Sequence, residues 1–162
     1  MINKIKENVF QLNFKTFGST IYLIKLGDKN ILIDTSSKEN KQELINDLKE
    51  LNITPENINI LILTHSHWDH IGNKEIFKKA KLITNKNLKE LPKEFEPIQT
   101  PGHTQDSFCI LYEDILFSGD TIFHEGGRGR TDLPGGNEEQ ILESIDKLKE
   151  VKYKILCPGH ID

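Results

Sequence analysis

A chain of 162 residues, 36% hydrophobic and 28% charged, is long enough to bury a core and lies outside the composition of disordered chains. The formal net charge is −4 and the 21 basic residues are scattered, so the basic stripe of a nucleic-acid surface is missing. No apolar run approaches the roughly 20 residues of a membrane span, and the start, MINKIKENVF, lacks the apolar stretch of a signal peptide; the expected compartment is the cytoplasm.

In chain order, strands are predicted at Asn8–Phe14, Thr20–Leu26 and Asn30–Asp34, with Gly27-Asp28 as turn chemistry between the last two. After Ser36 the apolar period changes, and Leu44, Ile45, Leu48 and Leu51 mark one face of a helix over 39–51. Pro55 closes that region. The run INILIL, Ile58–Leu63, reads as a buried strand. Short helices are predicted at 73–80 and 85–91, with Lys78, Lys79 and Lys81 on a solvated face. Further strands are predicted at Lys81–Thr84, Glu96–Gln99, Ser107–Tyr112, Ile115–Phe117 and Lys154–Cys157. Asn137 reads as an N-cap, with Gln140 placed to complete a capping box, for a helix using Ile141, Leu142, Ile145 and Leu148. With no repeats and no Pro/Gly/Ser linker, residues 1–162 read as one domain of a layered α/β or α+β fold. Cys109 and Cys157 form no CxxC pair and are expected to be buried free thiols.

Three of the six histidines fall inside HSHWDH at 65–70. A lone histidine is usually structural, but three imidazoles and a carboxylate crowded together are what zinc and similar divalent ions favour. A core gains nothing from such crowding, because each group needs its own polar partner. The wider pattern adds a second argument. INILIL runs into Thr64 and His65, EPIQ into TPG and His103, ILFSG into Asp120, and KILCPG into His160. Four predicted strands each deliver a candidate ligand at their C-terminal end, where layered sheets commonly build sites. Gly102 and Gly159 precede two of these histidines, where a missing side chain permits sharp turns and close approach. His124, in TIFHEGGRGR, falls outside the scheme and reads as an exposed or supporting residue.

These residues resemble the metallo-β-lactamase superfamily, whose HxHxDH signature stands here as His65-Ser-His67-Trp-Asp69-His70. The resemblance covers essentially the whole chain: Asp34 ends an early strand, His103 lies in TPGHT, Asp120 in SGDT and His160 in PGH. Within the superfamily, GDTIF followed by GRGRTDLPGG, ending at Gly136, is similar to the glyoxalase II and persulfide-dioxygenase branch, which acts on thioesters or persulfides of small thiols. The resemblance implies an α+β fold, a four-layer αββα sandwich of two mixed β-sheets flanked by helices. It implies two divalent metal ions, zinc in the first place, with iron or manganese as alternatives. His65, His67 and His103 would hold one ion, Asp69, His70 and His160 the other, and Asp120 would bridge them; Asp34 would support the surrounding loops.

The activity so implied is hydrolysis of an ester or thioester of a small molecule, of the hydroxyacylglutathione hydrolase kind, by a metal-bridging hydroxide. Asp69 would be the catalytic carboxylate, orienting that hydroxide and accepting its proton. The expected partner is a small-molecule substrate such as a thiol conjugate, with neither nucleic acid nor membrane. The helical extension that binds glutathione in glyoxalase II has no counterpart after His160, and the segment between His70 and His103 is short, so glutathione itself is not implied. The alternative is a mononuclear iron persulfide dioxygenase using two histidines, drawn from His65, His67 and His103, with Asp120. An RNA-processing nuclease and a non-catalytic metal-binding domain complete the readings. Arg128 or Arg130 would meet an anionic substrate group or form a structural ion pair, as with Asp132. Trp68 is expected to pack and fix its loop, and Phe123 and Tyr22 to pack in the core or line a pocket.

Overall fold

Apolar runs with period two in the first half of the chain form a six-stranded mixed sheet. A computed structural model describes residues 1–161, and the chain divides into two compact units, Met1–Leu63 with His67–Ile83, and Thr64–Ser66 with Thr84–Asp162. In the first unit, β1 (Ile2–Lys6), β2 (Val9–Leu12), β3 (Ile21–Leu26) and β4 (Lys29–Ile33) pair antiparallel in order. Helix α1 (Lys41–Glu50) then carries the chain to β5 (Ile58–Ile62), which pairs parallel with β4 and with β6 (Lys81–Ile83). A crossover helix is what a parallel pair requires. Leu44 and Leu48 of α1 are buried with Leu12, Leu23, Leu32, Ile58, Leu61 and Phe77 in one apolar cluster. The four-residue helix α2 (Trp68–Ile71) follows β5.

Three expectations need correction, two in this unit and one, at 85–91, in the second. Strand β1 has no counterpart among the predicted elements, because INKIK buries its isoleucines only partly and its lysines mask the alternation of an edge strand. The expected helices at 73–80 and 85–91 are single 3-10 turns, Lys74–Ile76 and Leu88–Glu90. Phe77 leaves the helical region to reach the core (φ −97°, ψ 48°). Leu91 precedes a proline and is extended (φ −60°, ψ 146°), as the ring of Pro92 demands.

The second unit holds a four-stranded sheet in the order β10-β9-β8-β7. Strands β7 (Phe95–Gln99), β8 (Phe108–Tyr112) and β9 (Ile115–Gly119) form an antiparallel meander, and α3 (Glu138–Lys149) leads to β10 (Ile155–Pro158), parallel to β9. The Asn137 side chain caps α3 by accepting from the Gln140 N–H at 2.9 Å. The box is not closed by Gln140, however. The Asn137 N–H donates to the Gly102 carbonyl (2.8 Å), and the Gln140 side chain accepts from Gln105 (2.8 Å). Nor is Leu142 on the packed face: it is exposed, and Ser144 takes the inward position, its hydroxyl donating to the Pro101 carbonyl at 2.7 Å. Among the described residues no helix is long and apolar enough to cross a membrane.

Candidate metal centre

HSHWDH passes from one unit into the other, His65 belonging with the second and His67, Asp69 and His70 with the first. In the second unit four predicted ligands converge, each at the end of a strand. His65 is buried and hydrogen-bonded at Nδ1 to Thr64 Oγ1 (3.1 Å), while the Thr64 carbonyl accepts from the Phe108 N–H (3.1 Å). The His65 and His103 rings meet edge to face, with centroids 4.9 Å apart and planes at 78°. Asp120 follows Gly119, whose positive φ (49°) turns the chain at the end of β9. His160 follows β10, where the Gly159 N–H donates to the Gly119 carbonyl at 2.7 Å.

The hydrogen bond at His103 fixes its chemistry. Nδ1 lies 2.7 Å from the Arg130 carbonyl oxygen. A carbonyl only accepts, so Nδ1 carries the proton and the lone pair of the neutral ring sits at Nε2. That nitrogen faces Asp120 Oδ2 at 3.4 Å, and His160 Nε2 faces the same oxygen at 3.4 Å. A charge-assisted N–H···O bond would run about 2.7–2.9 Å. Two ligand atoms each about 2.1 Å from one tetrahedral ion stand about 3.4 Å apart. The spacing is that of ligands around a cation. His65 has ligand atoms within 4.8 Å of those of both His103 and Asp120.

In the first unit, α2 is riveted to the loop leaving β4. The His70 carbonyl accepts from the Thr35 N–H (2.7 Å) and hydroxyl (2.9 Å), and the Gly72 N–H donates to the Ser36 carbonyl (2.9 Å). A Cβ at Gly72 would stand 2.6 Å from that carbonyl oxygen, so the close approach needs glycine. His70 is fully buried, and its Nδ1 is 2.8 Å from Asp34 Oδ2, a carboxylate that fixes the ring and leaves Nε2 as its other ligand atom. Asp34 itself is left-handed (φ 62°), a conformation aspartate tolerates better than most residues and one that concentrates at functional sites. Asp69 is buried, with a carboxylate oxygen within 4.8 Å of a His70 ring nitrogen. His67 is half-buried at the N-cap of α2.

Other singled-out residues behave differently. Trp68 does not pack into the protein: it is 61% exposed and faces only partway onto Phe17, itself 67% exposed. Tyr22 is a core residue, and Phe123 stands edge-on to His160 with centroids 6.2 Å apart. His124 is exposed in a 3-10 turn. Arg130 forms a bidentate pair with Asp132 (2.7 and 2.6 Å), which holds that carboxyl down to about 2. Arg128 likewise grips Glu138. Both arginines stand in ion pairs, Arg130 with the Asp132 that the sequence offered and Arg128 with Glu138.

What the sequence did not reveal is the service rendered by the glycine-rich segment. Besides the Arg130 carbonyl on His103, Gly129 is buried so closely that a Cβ there would stand 2.0 Å from the Asp120 carbonyl oxygen and 2.8 Å from the His103 ring. The alternation of glycines in GGRGR was the available signal.

Cys109 and Cys157 are free and buried, and burial pushes the Cys109 thiol up to about 11. Iodoacetamide at neutral pH is therefore expected to leave both unmodified in the folded protein and to label both after denaturation, as intact mass will show. Labelling of the native protein at stoichiometric yield would contradict this burial.

The model of the metallo-beta-lactamase superfamily matches residues 15–85 and 86–160. Among similar proteins, MJ0296 of Methanocaldococcus jannaschii, a probable metallo-hydrolase, is 34% identical over 143 residues, which span 80% of this chain and 70% of that protein. Among solved structures, ETHE1 from Myxococcus xanthus is 26% identical with a TM-score of 0.76, covering 94% of this chain and 75% of that one. TTHA1623, solved in a di-iron-bound form, is 20% identical with a TM-score of 0.77, covering 94% and 92% respectively. These likenesses show an α+β sandwich of two mixed sheets with flanking helices, as the resemblance implied. A family match over nearly all of the chain and a cluster of imidazoles and a carboxylate at strand ends lead to one statement: the chain belongs to the metallo-beta-lactamase superfamily.

Proposed function

We propose that this protein is a metal-dependent hydrolase that cleaves an ester or thioester of a small molecule, of the hydroxyacylglutathione hydrolase kind. The observation that carries the reading is the single oxygen, Asp120 Oδ2, placed 3.4 Å from both His103 Nε2 and His160 Nε2. In this reading Asp120 would help to hold two divalent ions, one with His103 and one with His160. His65 and His67 complete the first set; the chain alone keeps their Cα atoms within about 7 Å of each other. Asp69 and His70 would complete the second. Zinc is the first expectation for a set of neutral imidazoles and carboxylates, with iron or manganese as alternatives.

When bound, such ions lower the pKa of water from 15.7 toward about 7 and polarise a carbonyl oxygen. The chain's own groups do the rest. Asp34 and the Arg130 carbonyl hold His70 and His103 by their Nδ1 atoms, presenting Nε2 in each case. The buried Asp69 carboxylate orients the attacking water and takes its proton, then returns it to the leaving thiolate or alkoxide. No protein nucleophile is required, which agrees with two buried thiols, of which burial pushes that of Cys109 up to about 11. The partner is a small molecule carrying an acyl group, not a nucleic acid or a membrane, and the compartment is the cytoplasm.

Chelation followed by add-back of zinc, iron or manganese tests this. Hydrolysis of lactoylglutathione and simple aryl esters is expected to fall to background on metal removal and to return with about two ions per chain. Activity that survives complete removal sinks the proposal.

One observation favours a second reading. His65, His103 and Asp120 lie together in a single unit as two histidines and one carboxylate, the set common in non-haem iron oxygenases, while His160 is the more exposed ligand at 26%. A persulfide dioxygenase would bind one iron per chain and consume oxygen with glutathione persulfide. Two ions and no oxygen uptake favour the hydrolase.

A further inference from the structure

Large aromatic side chains gain by leaving water, yet Phe17 and Trp68 are 67% and 61% exposed, with ring centroids 5.9 Å apart and planes at 41°. Neither backbone is loose. Gly18, next to Phe17, is packed so tightly that a Cβ would come within 2.4 Å of Ser36 Oγ and 2.7 Å of Asn40 Nδ2. The buried Asn40 donates to the Thr16 carbonyl (3.0 Å), and the Ser37 hydroxyl donates to that of Phe17 (2.6 Å). The Ser19 N–H donates to the Asp69 carbonyl at 2.9 Å, tying this loop directly to α2. The backbones that carry these two exposed rings are thus held by a buried polar scaffold, and one of the rings belongs to α2, between His67 and Asp69 in the chain.

We infer that the Phe17–Trp68 pair is an apolar subsite that receives the acyl chain of the substrate and sets its preferred length. The inference rests on the hydrolase reading. The rings offer carbon faces, one indole N–H and no charge, so the hydrocarbon acyl part of a thiol conjugate complements them, whereas its polar thiol part does not. A backbone fixed in advance leaves only side-chain rotation to be lost on contact.

Trp68 is the chain's only tryptophan, so its emission reports occupancy directly. The metal-loaded protein is titrated with non-hydrolysable thioethers of N-acetylcysteamine bearing methyl, butyl and octyl chains. Saturable change in Trp68 emission is expected, with the octyl compound bound at least about tenfold more tightly than the methyl one. Phe17→Ala is expected to shrink that preference to about twofold at unchanged metal content. In turnover, the ratio of kcat/KM for octanoyl over acetyl N-acetylcysteamine is expected to fall about tenfold in Trp68→Ala, through KM. Affinity independent of chain length, or a preference that Phe17→Ala leaves intact, overturns the inference. Chain-length-dependent binding without any thioester hydrolysis supports the subsite and defeats the hydrolase reading. Hydrolysis with no length preference does the reverse.

Discussion

Asp120→Ala is expected to lower hydrolytic turnover by on the order of 10³ or more and to strip most of the bound metal, a larger loss than any single histidine substitution causes. The reason lies in one atom. Oδ2 faces both His103 and His160 at 3.4 Å, so its removal deprives both proposed ions of a ligand, whereas each imidazole serves one. It also removes negative charge from a site that must balance two divalent cations. Elemental analysis beside kcat/KM on a thioester separates the two effects. Asp120→Asn, close in shape but neutral, should retain the fold and still bind metal poorly. An alanine variant with near-normal metal content and turnover would show that the oxygen does not bridge.

The second large effect is expected at a residue that holds no metal. Gly129→Ala would place a carbon 2.0 Å from the Asp120 carbonyl oxygen and 2.8 Å from the His103 ring, distances that no real contact allows. The Gly129 backbone, the Asp120 turn or the His103 ring must move. Overpacking of this kind costs about 1–3 kcal/mol of stability. Displacing two proposed ligands is expected to lower activity and metal affinity by about 10- to 100-fold, the range seen when supporting groups of metal ligands are lost. Gly126→Ala is the control. Its surroundings are open, and any cost there comes from a positive φ of 79° alone. Equal losses at both positions would mean that the close packing at Gly129 is unimportant to the site.

Much of this molecule could be read from the chain because its signals are strong and local. INILIL is apolar on both faces, and β5 occupies all but its last residue; Leu44 and Leu48 fall at helical spacing, and α1 buries them. The placing of the candidate ligands after strands was legible for the same reason, since a buried strand followed by a polar cluster is a pattern of sequence alone. What escaped depends on contacts distant in the chain or on very short elements. The half-buried isoleucines of β1 give too weak an alternation to be seen against its lysines. The segment from Asn73 to Phe77 looks helical until tertiary bonds decide it, the Asn73 side chain donating to the Thr35 and Ser37 carbonyls at 2.8 and 2.7 Å. Trp68 was misjudged because hydrophobicity argues for burial, while exposure is decided by what stands opposite. The hold on His103 by Arg130 was invisible because it uses a carbonyl, and every residue has one.

That last contact has a bearing on how the protein can change over generations. An imidazole steered by a neighbouring carboxylate depends on one codon, and a single substitution there leaves the ring unsteered. Here the steering atom is the Arg130 carbonyl, which survives whatever side chain position 130 bears. Drift can therefore redraw the outward charge of the stretch from Arg130 to Leu133, and with it whatever the surface attracts, while the ring beneath keeps its aim.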